Sequence, residues 1–200
     1  ELTTQLNAWW TNRLREKYDI SSFLELEFET HFSKFLMPTV RGSNAGSKKR
    51  YAGLVVDSSN PKKSHLLFKG LESVRSDWSP LAREFQKELY RRVFFGEPYE
   101  DYIKLTVQQL TDGKYESELV LRKRLRRKLK DYIKNVPPHA QAARKAEDIR
   151  RQLELPSLYQ SGGWIEYIMT INGAEPRQYR ESAIDFEFYI ERQLAPIADS

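Results

Sequence analysis

Two hundred residues, 40% hydrophobic and 30% charged, suffice for one domain of ordinary size or two small ones. No apolar run approaches the roughly 18 residues of a membrane span, and the acidic, amphipathic start at Glu1 is unlike a signal peptide. Zero cysteines exclude disulfides, zinc ribbons, iron–sulfur clusters and thiol nucleophiles, while 33 basic against 28 acidic residues leave a net charge of +5 that by itself assigns no partner.

Leu2, Leu6, Trp9, Trp10 and Leu14 recur at helical spacing and predict an amphipathic helix over residues 1–17. Leu24, Leu26 and Phe28 then alternate with Glu25, Glu27 and Glu29, the period of a half-buried strand with three carboxylates on its other face. Residues 31–37, ended by Pro38, are its expected antiparallel neighbour, and residues 42–47 are a loop by composition. Residues 51–56 and 65–68 predict a hairpin. Ser79 and Pro80 are a good N-cap and first-turn pair for a helix with Leu81, Phe85, Leu89 and Val93 buried and Gly96 as its stop. A second helix is expected over residues 98–110.

Leu121, Leu125, Leu129 and Ile133 stand four apart, which fits a helix through a basic stretch. Residues 119–121 fit equally well a short strand running into it. Pro137 and Pro138 break the chain before an Ala-rich helix over residues 139–153, residues 164–171 predict a strand, and Asp185 caps a last helix carrying Phe186, Tyr189, Ile190, Leu194 and Ile197. The expected class is α+β: a helix with an antiparallel sheet, then a mostly helical part, divided within residues 70–79.

Basic charge is concentrated in two places. Eight basic residues fall between Arg122 and Lys134 against the single Asp131, and seven between Arg41 and Lys69 against Asp57. Such patches suit a polyanion, and solvated faces account for them equally well on charge alone. His31, His65 and His139 are far apart, and none has helical metal-ligand spacing.

An ordered set of motifs goes further. Leu24-Glu-Leu-Glu-Phe-Glu29 is followed by Lys48-Lys-Arg-Tyr51-Ala-Gly, then by Lys69-Gly-Leu-Glu-Ser-Val-Arg75-Ser-Asp77-Trp78, Pro137-Pro-His139 and Asp185-Phe-Glu-Phe-Tyr189. Together they resemble family B DNA polymerases over essentially the whole chain. Asn7-Ala-Trp-Trp10 and Phe35-Leu-Met-Pro38 bring the resemblance closest to the bacterial members. It implies a fragment, with residues 1–76 as the C-terminal part of the palm and residues 77–200 as the thumb. The family's catalytic aspartates, in Ser-Leu-Tyr-Pro-Ser and Asp-Thr-Asp motifs, would precede residue 1, so no catalytic residue is expected here. Ser157-Leu158-Tyr159 lacks the aspartate just before it and follows the thumb motifs.

The resemblance also implies roles. Lys49 and Tyr51 match a Lys-x-Tyr motif facing the duplex minor groove near the primer end, where donors can test pair shape without reading sequence. Two apart on a strand, they would share a face. Lys48 and Arg50 would point the other way and meet phosphates. Arg75 would contact a primer phosphate, with Asp77 orienting the basic groups around it. Arg126, Arg127 and His139 would contact the backbone, His139 at a helix start whose free N–H groups favour phosphate.

Glu29, then Glu27, would support the metals without being principal ligands. The intact enzyme would use Mg²⁺, deoxynucleoside triphosphates and primer–template duplex DNA in the bacterial cytoplasm, associated with the nucleoid. The chain alone would be an inactive, monomeric DNA-holding piece that binds no metal tightly. Without the resemblance, the residues leave other readings: a self-standing, sequence-independent nucleic-acid-binding module, or a structural domain with solvated basic faces. A nuclease built on the glutamates is disfavoured, because three carboxylates on one strand are too few and too collinear.

Overall fold

The computed structural model describes residues 1–39, 46–47, 49–57 and 63–200. Helix α1 (Leu2–Tyr18) opens the chain and ends on Asp19 in the left-handed conformation. Strands β1 (Lys34–Leu36), β2 (Tyr51–Val55) and β3 (His65–Lys69) form an antiparallel sheet in that order, with Phe35 opposite Gly53 and Tyr51 opposite Lys69. After a 3₁₀ turn at Glu72–Val74 come α2 (Pro80–Phe95) and α3 (Glu100–Thr111).

A second antiparallel sheet then forms from β4 (Leu121–Leu125), β5 (Gly163–Thr170) and β6 (Gly173–Pro176), with α4 (Pro138–Gln152) inserted between β4 and β5 in sequence. The chain closes on α5 (Phe186–Tyr189), a π-helical turn over Ile190–Leu194, and α6 (Ala195–Ala198). The architecture is mixed helix and antiparallel sheet, as expected.

Two apolar clusters hold these elements. The larger gathers Leu121, Leu125, Ile165 and Tyr167 of the second sheet with Ala140 and Ala143 of α4 and Tyr189 and Leu194 near the end of the chain. Ala52, Leu54 and Leu71 form a smaller cluster under the first sheet. Helix α2 belongs to both. Its Leu81, Phe85 and Leu89 lie in the larger cluster and its Tyr90 and Phe94 in the smaller. The Ser79 hydroxyl accepts from the Ala82 N–H, Pro80 occupies the first turn, and Gly96 stops the helix at φ 69° while the Glu97 N–H reaches back to the Arg92 carbonyl.

Three expectations need correction. Residues 24–29 form no strand. Their backbone is held instead by the Asn7 side-chain amide, which accepts from the Leu26 N–H at 2.8 Å and donates to the Leu26 carbonyl at 3.0 Å. Alternation decides which side chains share a face, but a strand also needs a ladder, and none forms there among the described residues. Leu24, Leu26 and Phe28 stay exposed. Residues 31–37 therefore do not pair with them; Lys34–Leu36 pairs with β2 instead.

The second correction concerns the leucines four apart, which form no helix: Leu121 and Leu125 stand in strand β4. A spacing of four keeps side chains on one face of a strand as well as of a helix, and Leu121 and Leu125 are both buried from β4. Leu129 is buried from a 3₁₀ turn, whereas Ile133, expected in the core, is 81% exposed. The third correction is local: Lys49 lies in a turn outside β2, so it and Tyr51 do not share a strand face.

Candidate nucleic-acid interface

The most organised polar constellation lies where the chain leaves the first sheet. The 3₁₀ turn hands over at Arg75, whose backbone is extended, and the side chain folds onto Asp77 two residues on. Arg75 Nε and Nη2 donate to the two Asp77 carboxylate oxygens at 3.0 and 2.9 Å. Lys123, from β4 of the second sheet, donates to Asp77 Oδ2 at 2.9 Å. One carboxylate thus ties the two cations together across the fold and leaves a net charge of +1. The hydrogen bond from Arg75, aided by Lys123, holds the Asp77 carboxyl far below the usual carboxylate range against the opposing effect of burial. Asp77 raises the Arg75 guanidinium in return, which keeps that cation charged.

Burial first, and the Lys123 charge second, lower the His139 imidazole from its ordinary value and so favour its neutral form. His139 sits in the first turn of α4 after Pro137 and Pro138, and its ring meets Tyr132 edge-on at 5.9 Å. The Arg127 guanidinium lies 4.3 Å over the Tyr132 ring. Tyr132 is buried and held at both ends: its hydroxyl accepts from the Arg126 N–H at 3.2 Å, and its carbonyl accepts from Arg144 Nη2 at 2.6 Å. The fold therefore joins Arg75, Asp77 and Lys123 by hydrogen bonds and gathers Arg127 and His139 on Tyr132, with Arg126 exposed beside them.

Lys123 and Tyr132 are the two members that sequence reasoning passed over. Tyr132 is the one aromatic residue between Arg122 and Lys134, and an aromatic inside a basic run is the signal that could have found it.

The first sheet presents a different group. Tyr51 is half-buried against Phe35 at 5.2 Å and Phe32 at 6.0 Å. It lines a cavity of about 270 Å³ shared with Glu27, Glu29 and Lys69. Lys49 is exposed, and its carbonyl rests on Gly70, where φ is +64° and a Cβ would fall 2.2 Å from that oxygen. Arg50 is not free to meet a phosphate: its guanidinium is paired with the buried Glu72 carboxylate, which also accepts from Gln86 at 2.8 Å. Lys48 lies outside the described residues.

Glu29 stands 3.8 Å from Lys69, both well exposed. Among the described residues no three Asp, Glu, His or Cys side chains come together as a metal site. Two carboxylates on an unpaired segment beside a lysine do not fit a catalytic metal.

Comparison with known proteins gives this arrangement its family. The model of DNA polymerase family B matches residues 12–199, and the chain belongs to that family. It is 50% identical over 198 residues to DNA polymerase II of Escherichia coli (strain K12), a match covering 99% of this chain and 25% of that protein. It is 28% identical over 191 residues to the DNA polymerase of Thermococcus gorgonarius, covering 90% of this chain and 22% of that protein. The solved structure of the family B DNA polymerase from Pyrobaculum calidifontis superposes with a TM-score of 0.60 at 21% identity, over 96% of this chain and 24% of that one. At that identity the likeness shows the fold. The chain spans about a quarter of the length of these relatives.

Proposed function

We propose that this chain is the duplex-holding portion of a DNA-directed DNA polymerase, with residues 1–76 as the end of the palm and residues 77–200 as the thumb. The observation that carries the reading is the carboxylate of Asp77, shared by Arg75 from the palm side and Lys123 from the thumb side. It fixes two cations at the junction between the two sheets, beside Arg127 and His139. Such a set recognises successive phosphates through charge and hydrogen bonds and reads no base, which suits an enzyme that must copy any sequence.

In the intact enzyme the primer 3′ hydroxyl attacks the α-phosphate of a deoxynucleoside triphosphate. In this reading the catalytic aspartates lie outside this chain; they would hold a divalent metal, Mg²⁺, which would supply charge stabilisation at the reacting oxygens. The contribution of this chain is to position the duplex: Arg75 and Arg127 hold the backbone, and Tyr51, at the start of the central strand of the first sheet beside Phe32 and Phe35, faces the minor groove near the primer end. The working compartment is the bacterial cytoplasm.

Duplex titrations by fluorescence anisotropy test this. Binding should be tight at about 50 mM salt and fall steeply by about 200 mM, and Arg127→Ala should reduce the salt slope by roughly one unit. The absence of duplex binding at the lower salt would overturn the reading. Primer extension with Mg²⁺ should give no product from the chain alone, and synthesis would refute the assignment of the catalytic groups elsewhere.

A further inference from the structure

We propose that the thumb carries a second nucleic-acid site, a pocket for an unstacked base of single-stranded DNA on the outer face of β4 and β5. It goes beyond the duplex reading and does not depend on it. Strand alternation puts Arg122 and Arg124 on the same face as Trp164 and Glu166, with Arg124 directly opposite Trp164 and Arg122 opposite Glu166. Trp164 is 49% exposed near the start of β5, where the strand pairs with β4 but not yet with β6, and the Arg122 guanidinium stacks 4.7 Å over its ring. Glu166 is neutralised by Arg177 at 2.9 Å, so the face remains cationic.

Beside the indole a cavity of about 190 Å³ opens, walled by Trp164, Tyr159 and Tyr179. That is below the size of pockets built for larger ligands and of the scale of a single planar ring. The walls are held in place. The buried Glu147 carboxylate accepts from the Leu158 and Tyr159 N–H groups at 2.8 and 2.6 Å and from the Ser157 hydroxyl at 2.5 Å, and Arg150 donates to the Tyr179 hydroxyl at 3.2 Å.

A second cavity, of about 510 Å³, lies on the other side of the same turn. Glu147 and Gln160 line it, next in sequence to the Ala146 and Tyr159 that line the first. Lys128, Lys130, Arg144 and Arg151 line this second cavity together with Glu147 and Asp148; Asp148 pairs with Arg151 at 3.3 Å, and the two lysines have no carboxylate partner among the described residues, so the lining stays net positive. An aromatic slot next to a net-positive basin with two unpaired lysines matches the alternation of base and phosphate along a single strand. A duplex keeps its bases stacked and could offer only the phosphates.

Anisotropy of a labelled oligothymidylate of about twelve nucleotides, read beside an abasic oligonucleotide of equal length and a blunt duplex, tests the site. Trp164→Ala should weaken oligothymidylate on the order of tenfold and leave the abasic strand and the duplex unchanged, while Trp164→Phe should restore most of the loss. The proposal falls if Trp164→Ala binds oligothymidylate as the parent chain does, or if the abasic strand binds as tightly as oligothymidylate. It also falls if polyglutamate competes as well as DNA, which would make the face a dock for an acidic protein. Duplex binding without oligothymidylate binding refutes this site alone; the reverse refutes the duplex reading alone.

Discussion

Asp77→Asn is the substitution that examines the junction most directly. The amide is nearly isosteric but carries no charge, so Arg75 and Lys123 lose the anion that both now bond. The Asp77 side chain is 26% exposed, between a surface pair, worth about 0–1 kcal/mol, and a fully buried one, whose breakage costs about 3–5 kcal/mol. With three charge-assisted hydrogen bonds at stake, the expected loss is about 2 kcal/mol at pH 7, or a fall in Tm of roughly 4–8 °C for a chain of this size.

The sign with pH follows from the direction of the shift. Asp77 is depressed in the folded state, so its stabilisation is complete above the unfolded value of about 3.9 and is lost as pH falls from there toward its folded value. Urea unfolding of both proteins should show a gap that is constant from about pH 5 to 7 and narrows below about pH 4, by at most about 1.4 kcal/mol per pH unit. A gap near zero at pH 7, or one that widens in acid, would refute the view that Asp77 is a fixed anion between two cations.

Other consequences are more local. Burial and Lys123 depress His139, so below about pH 6.5 the unfolded chain binds a proton that the folded chain resists. Fold stability should decline through that range, whereas duplex affinity should rise as phosphate draws the proton onto the ring. His139→Gln should flatten both profiles, and unchanged slopes would remove His139 from the interface. Gly70→Ala should cost more than Gly96→Ala in urea unfolding. Both sites have positive φ, at +64° and +69°, but only at Gly70 would the new methyl strike a neighbour, the Lys49 carbonyl. Equal costs of about 1 kcal/mol would mean that the loop bearing Lys49 yields.

What could be read from the residues followed the information each pattern holds. The α2 helix was legible at both ends because Ser79-Pro80 and Gly96 act locally, through one hydroxyl and one left-handed residue. The β2–β3 hairpin was legible because both strands lie in the chain and bury one side. Residues 24–29 carried an equally regular alternation, yet regularity cannot supply a neighbouring strand. The spacing of Leu121, Leu125 and Leu129 was degenerate between two periods, and only tertiary contact with β5 decides it. Of the candidate site, Arg75, Asp77 and His139 stand in the motifs and Arg127 in the basic run. Lys123 was not legible: its importance arises from a partner 46 residues away. Arg50 was misjudged for the same reason, since Glu72 sits beyond a hairpin that sequence spacing does not fold.

The junction is tied more than once, and that makes a sharper demand on the physics than any single substitution. Two residues past Asp77, the buried Ser79 caps α2 and bonds the buried Gln193, which lies in the π-helical turn near the end of the chain. The segment leaving the first sheet is thus fastened to β4 through Asp77 and to the C-terminal turn through Ser79, while α2 itself packs into both apolar clusters. Gln193→Ala alone should cost about 1–3 kcal/mol, because the Ser79 hydroxyl loses a buried partner while Asp77 still holds the segment. With Asp77→Asn added, neither tie remains to limit the movement of the other. The double variant should therefore lose more than the sum of the singles, by about 0.5 kcal/mol or more, and its duplex affinity should drop further than either alone. Losses that add within about 0.3 kcal/mol would show the two ties to be energetically separate, and the orientation of Arg75 toward Lys123 would then rest on Asp77 alone.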